Sequence, residues 1–129
     1  MAFQHAFAAV IVAAGRGVRA GLALPKQFAD LDGRAVLRWS VDAFAAHPDC
    51  RQIIVVAPDE AEGFATAERI CAGSGAMVVR GGAERLDSVR IGIAGADQAG
   101  LVLVHDAARP GLQPAHIDRL LAAFADPAV

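Results

Sequence analysis

The chain has 129 residues, a net charge of −2, 55% apolar residues and only 5% aromatics. That length suits one domain with a real core, and the mildly acidic balance argues against a nucleic-acid-binding surface. No apolar run reaches membrane-spanning length, no signal-peptide order opens the chain, and Cys50 and Cys71 form neither a CxxC pair nor a metal set with histidine. A cytoplasmic protein with reduced thiols is expected.

Phe7 to Val12 is almost wholly apolar, as strands covered on both faces are. The run opens into Ala13, Ala14 and Gly15, then Gly17 and Gly21, with Arg16 and Arg19 among them. Lys26, the only lysine, follows Pro25. Glycines let backbone N–H groups turn inward on an anion, and Arg and Lys supply charge and donors. A phosphate loop is one reading of this stretch; a Gly/Ala surface loop with incidental arginines is the other. Neither familiar fingerprint is met. No lysine directly follows a later glycine, as the P-loop requires. Gly15, Gly17 and Gly21 are spaced one residue too long for a dinucleotide motif.

Asp32 and Gly33 mark a turn. Val36, Leu37, Ser40, Val41 and Phe44 recur at helical spacing and predict a helix over 35–46, ended by His47 and Pro48. Residues 52–57 read as a second buried strand, and 60–71 as a helix that stops in a Gly/Ser turn. Residues 76–79 form a short third strand, 88–96 a helix and 101–104 a fourth strand. Pro114 suits the first turn of a last helix over 115–124. This alternation predicts a single domain, 1–129, with a Rossmann-like, mostly parallel sheet and helices on both faces. Ligands in such sheets bind beyond the carboxyl ends of the strands. The loops after the first, third and fourth strands are therefore expected to meet on one edge.

In the second of these loops, Gly81 and Gly82 would let backbone lie against a flat ligand edge. Ser88 offers a donor and an acceptor, or serves as an N-cap. Arg85 contacts phosphate or braces the loop. In the third loop, Asp106 could hold a hard cation such as Mg²⁺, cap the loop, or pair with Arg109. His105 is read as packing locally. The three loops together suit a nucleoside triphosphate with Mg²⁺.

The stretches AAGRGVRAGLALPKQF, GGAERLDSVRIGI and VLVHDAARP, in this order, resemble the 2-C-methyl-D-erythritol 4-phosphate cytidylyltransferase family. The resemblance covers Val10 to Pro110. It implies a nucleotidyltransferase fold and transfer of a cytidylyl group from CTP to methylerythritol phosphate, with release of pyrophosphate, in non-mevalonate isoprenoid biosynthesis. It implies that Arg19 and Lys26 stabilise the transition state, and that the backbone around Ala13, Ala14, Gly15 and Gly17 wraps the triphosphate. Gly81, Gly82 and Ser88 would read the cytosine, and Asp106 would face Mg²⁺ and the phosphates. Family members are usually longer. The chain is therefore expected to be the N-terminal, CTP-binding portion of its domain, poorly stable and inactive alone. When full length it is expected to form a homodimer, and in some bacteria to be fused to a cyclodiphosphate synthase. The remaining alternatives are another cytidylyl- or sugar-phosphate nucleotidyltransferase, a nicotinamide-dependent oxidoreductase, or a non-catalytic nucleotide-binding fragment.

Overall fold

The computed structural model describes residues 6–14, 25–96, 100–109 and 111–125. Gly15, Gly17 and Arg19, three of the expected site residues, lie outside the described residues. Among the described residues, six strands and four α-helices follow in order: β1 (Phe7–Val12), β2 (Asp30–Leu31), β3 (Arg34–Ala35), α1 (Val36–Ala45), β4 (Cys50–Ala57), α2 (Ala61–Cys71), β5 (Met77–Arg80), α3 (Arg85–Gly95), β6 (Val102–Asp106) and α4 (Pro114–Ala125). The main sheet has the order β5-β4-β1-β6, and every neighbouring pair runs parallel. The expected parallel α/β sheet is therefore what the chain forms.

β1 lies inside the sheet, and all six of its residues are buried. Period-two alternation sends its side chains to two cores. Phe7, Ala9 and Ile11 pack with Leu37 and Val41 of α1, Ala67 of α2 and Ile117 and Leu121 of α4. Val10 and Val12 pack with Ile54 and Val56 of β4 and with Val89 of α3. Helices thus cover both faces, which is why the strand reads as an unbroken apolar run.

Three local differences from the expectation have physical causes. The turn at Asp32 and Gly33 is a small hairpin joining β2 and β3. Both turn residues have positive φ, 52° and 84°, the backbone that an Asp-Gly pair tolerates and that matches strand twist. α3 begins at Arg85 rather than Ser88. Glu84 is its N-cap residue, and the Asp87 carboxylate accepts the Glu84 N–H at 3.3 Å, an acidic start that complements the helix dipole. β6 extends two residues beyond the expected end, so that Asp106 is its last residue.

α3 approaches the sheet closely because Gly92 faces it. A Cβ there would lie 2.4 Å from Val10 Cγ1 and 3.0 Å from Val56 Cγ2. At the opposite end of the sheet, His47 ties α1 to α4. Its Nδ1 accepts the Asp49 N–H at 3.1 Å, and its Nε2 lies 2.7 Å from Asp118 Oδ1. Cys71 closes α2 inside the larger core, and burial pushes its thiol up to about 11, with Arg38 opposing the shift.

Two outcomes are expected. Gly92→Ala gains helix propensity yet overpacks the interface, and should lower unfolding free energy by roughly 1–2 kcal/mol net in urea titrations. In the folded protein at pH 8, iodoacetamide should modify half-buried Cys50 well before Cys71. Both should react at comparable rates in urea, as read by mass spectrometry.

Candidate functional site

The candidate site lies at the carboxyl edge of the sheet, where the strands end level. Val12 is in register with Val56 on one side and Asp106 on the other, and Ala57 with Arg80. The ladder continues one residue further. The Ala13 N–H donates to the Val56 carbonyl at 2.8 Å, the Gly81 N–H to the Ala57 carbonyl at 2.8 Å, and the Ala107 N–H to the Val12 carbonyl at 3.0 Å. The three loops singled out in the sequence therefore leave the sheet side by side.

Gly81 is a point of close approach between two of them among the described residues. A Cβ there would stand 2.6 Å from Ala14 Cβ, 2.8 Å from Ser88 Oγ and 3.0 Å from the Ala57 carbonyl. At Gly82 it would stand 2.4 Å from Asp87 Cβ. Both glycines thus have a packing reason within the protein. Ser88 is buried, 2% exposed, and its Oγ accepts the Gly82 N–H at 3.1 Å. It sits inside the first turn of α3, not at its N-cap, and its hydroxyl fixes the backbone of the glycine pair from beneath.

Lys26 opens a short 3-10 turn, Lys26–Phe28, and is exposed. The turn is anchored by the residues that follow. Phe28 enters the larger core, and buried Gln27 donates from Nε2 to the Ala13 carbonyl at 2.9 Å. The only lysine of the chain is thereby carried on a turn bonded to the carboxyl end of β1. Sequence reasoning passed over Gln27. The one signal available was a polar residue directly before a core phenylalanine, which by itself does not reveal burial.

Asp106 and His105 point to opposite faces of β6. His105 packs edge-on to Phe44 of α1, ring centroids 5.9 Å apart. Burial lowers its pKa, with the Arg109 backbone and the Asp106 charge opposing. It is a packing residue, as the sequence suggested. Asp106 lies on the α3 side. Its Oδ1 accepts the Ala108 N–H at 3.0 Å. Its Oδ2 lies 3.8 Å from Arg85 Nη1 and 4.0 Å from Arg109 Nε. Both distances exceed hydrogen-bond length, so these are loose, largely exposed ion pairs worth little to stability. Arg85 nevertheless spans from the start of α3 across the end of β1 to β6, joining the second loop to the third.

The donor set is meagre for a metal. Among the described residues, no three His, Cys, Asp or Glu side chains cluster where they could hold an ion. A lone hard carboxylate fits Mg²⁺ in one mode only, with phosphate oxygens and waters completing the shell.

Residues 7–129 match the family model described as IspD: 2-C-methyl-D-erythritol 4-phosphate cytidylyltransferase. The chain is 47% identical over 124 residues to a bifunctional enzyme IspD/IspF of Rhizorhabdus wittichii, covering 96% of this chain and 32% of that protein. It is 46% identical over 114 residues to a 2-C-methyl-D-erythritol 4-phosphate cytidylyltransferase of Nocardia farcinica, covering 88% of this chain and 49% of that one. The crystal structure of the Thermus thermophilus cytidylyltransferase of that name superposes with a TM-score of 0.68 at 33% identity, over 91% of this chain and 49% of the other. The chain thus spans about a third of the length of its bifunctional relatives and about half that of the single-function ones.

Ser88→Ala would leave the Gly82 N–H without its acceptor. A loss of roughly 1–2 kcal/mol in chemical denaturation is expected, with Ser88→Thr intermediate because its extra methyl must fit the same buried space.

Proposed function

The chain belongs to the 2-C-methyl-D-erythritol 4-phosphate cytidylyltransferase family, and from that premise we propose that residues 1–129 are the CTP-binding portion of a nucleotidyltransferase domain. The reaction is transfer of a cytidylyl group from CTP to methylerythritol phosphate. The observation that carries this reading is the Gly81 junction, where Ala14, Ala57 and Ser88 all crowd the same α-carbon. It brings Ala14, at the carboxyl end of β1, against the Gly81–Gly82 segment, which supports the reading that the two segments serve one ligand.

In the proposed reaction a phosphate oxygen of the acceptor attacks the α-phosphorus of CTP. The bond to the bridging oxygen of pyrophosphate breaks, and pyrophosphate leaves with the electron pair. The attacking group is already an anion, so no covalent enzyme intermediate is needed. The protein's task is to position groups and neutralise charge. Lys26, exposed on its anchored turn, and Arg19 are proposed to meet the charge that grows at the α-phosphate and the leaving group. Cations preorganised there favour the transition state over the ground state. The amides of Ala13, Ala14, Gly15 and Gly17 are proposed to wrap the triphosphate. Asp106 is the residue that would hold Mg²⁺, and the ion would supply further neutralisation of the polyphosphate.

Selection of the base follows from hydrogen bonds already made. The N–H groups of Gly81 and Gly82 donate to the Ala57 carbonyl and to Ser88 Oγ. What this segment then offers a base is carbonyl oxygen. That matches the exocyclic amine of cytosine and opposes the carbonyl of uracil, and an unmatched buried polar group is costly. Asp106, Gly81, Gly82 and Ser88 are accordingly proposed as nucleotide-site residues.

Relatives named as bifunctional IspD/IspF enzymes support fusion to a cyclodiphosphate synthase as a further part of the proposal. A homodimeric, cytoplasmic enzyme completes it. Among the described residues no helix is long and apolar enough to cross a membrane.

Pyrophosphate release with CTP, Mg²⁺ and methylerythritol phosphate, measured on the full-length protein, tests the reaction. Lys26→Ala and Arg19→Ala should each slow it roughly 10²–10³-fold, by analogy with loss of an oxyanion donor. Near-normal turnover by either variant removes that residue from the mechanism. In calorimetric titrations UTP should bind at least about tenfold more weakly than CTP, and equal affinity would contradict the carbonyl-lined base site.

A further inference from the structure

Asp106 is held in a way that a carboxylate serving only as a cation ligand would not need. Its Oδ1 is occupied by the Ala108 N–H. Its Oδ2, the oxygen left for a ligand, faces two guanidinium groups from two different loops, Arg85 at 3.8 Å and Arg109 at 4.0 Å. One negative charge thus sits between two positive ones. A divalent cation approaching Oδ2 meets a local surplus of positive charge, and no cluster of further carboxylates among the described residues offsets it.

We propose that Arg85 and Arg109 clasp the Asp106 carboxylate and keep divalent cations off it until a polyphosphate draws the two guanidiniums away. The clasp is built to open. At these distances the contacts are Coulombic, without the short, directional geometry of a hydrogen bond. The arginine side chains are 60% and 81% exposed, whereas that of Asp106 is 34% exposed at the end of a paired strand. The carboxylate stays and the arginines swing. A triphosphate offers guanidinium forks more anionic oxygens than one carboxylate does. Its arrival would free Oδ2 as it brings the remaining oxygens that Mg²⁺ requires. Arg85 and Arg109 are then positioning residues that couple cation loading to nucleotide loading. This inference rests on the nucleotide site proposed above.

The test is Mn²⁺ binding followed by electron paramagnetic resonance, with and without CTP. Wild-type protein should bind Mn²⁺ weakly alone and tightly with CTP. Neutralising each arginine should raise nucleotide-free Mn²⁺ affinity about tenfold, the size expected for removing a unit charge a few ångströms from a divalent ion. The Arg85→Gln/Arg109→Gln double variant should show the combined gain, about a hundredfold. It should vanish when Asp106→Asn is added, and be absent in the charge-preserving Arg85→Lys/Arg109→Lys variant. Arg69→Gln, which removes one charge on α2 as each single clasp variant removes one at the clasp, should show no gain. Both clasp arginines are exposed, so loss of fold is not expected, and circular dichroism checks it. The clasp is overturned if the double glutamine variant gains nothing, if its gain survives Asp106→Asn, if Arg69→Gln matches a single clasp variant, or if wild type binds Mn²⁺ equally well without CTP. Failure of CTP to bind wild type in the presence of Mn²⁺ is a different result. It overturns the nucleotide reading itself, and with it the coupling.

Discussion

The structure depends on β1 being paired along both edges and buried on both faces. Every one of its residues is buried, and its partners β4 and β6 run parallel to it, in continuous register from Ala8 to its last residue after one irregularity against β4 between Phe7 and Ala8. Such a strand can be satisfied only if its flanking backbone groups also find partners. They do: Ala13 donates to β4, and Ala107 donates back to β1. The consequence reaches past the core. Because the strands end level, the segments leaving them start from one shelf of backbone, and whatever chemistry they carry is brought to one place.

Small residues decide how close those segments come. Gly92 lets α3 sit against Val10 and Val56, and Gly81 lets the loop before α3 touch Ala14. Ser88, buried in the first turn of the same helix, then holds the Gly82 amide. The helix, the glycine pair and the end of β1 form one packed unit, so a change in any of them moves the others. This is also why the two glycine amides are committed within the protein. The cationic side chains stand differently. Lys26, Arg85 and Arg109 are exposed, while the elements beneath them are fixed by core contacts. Rigid placement of the backbone with adaptable charge above it suits a site whose ligand brings most of its own negative charge.

Much of this was legible in the residues. The apolar run at Phe7–Val12 identified the central strand because a strand covered on both faces needs no alternation. The order of strand and helix gave the parallel sheet, and the sheet rule gave the edge at which to look. α3 starts three residues before the position its weak apolar pattern indicates. Leu86, Ile91 and Ile93 are all largely exposed, and the acidic residues Glu84 and Asp87 set the helix start instead. The β2–β3 hairpin was seen only as a turn, its strands being two residues each. Gln27 escaped notice because nothing local distinguishes a buried glutamine from an exposed one.

The sequence by itself determined which residue types gather in each loop and the order in which the loops arise, since strand and helix periods and turn chemistry are local properties. It did not determine contacts between loops. That Arg85 reaches Asp106, that Gln27 bonds Ala13, and that Ser88 supports Gly82 from below were decided by the parallel crossovers and by packing. These bring residues remote in the chain within a few ångströms of one another, and such distances depend on every side chain in between.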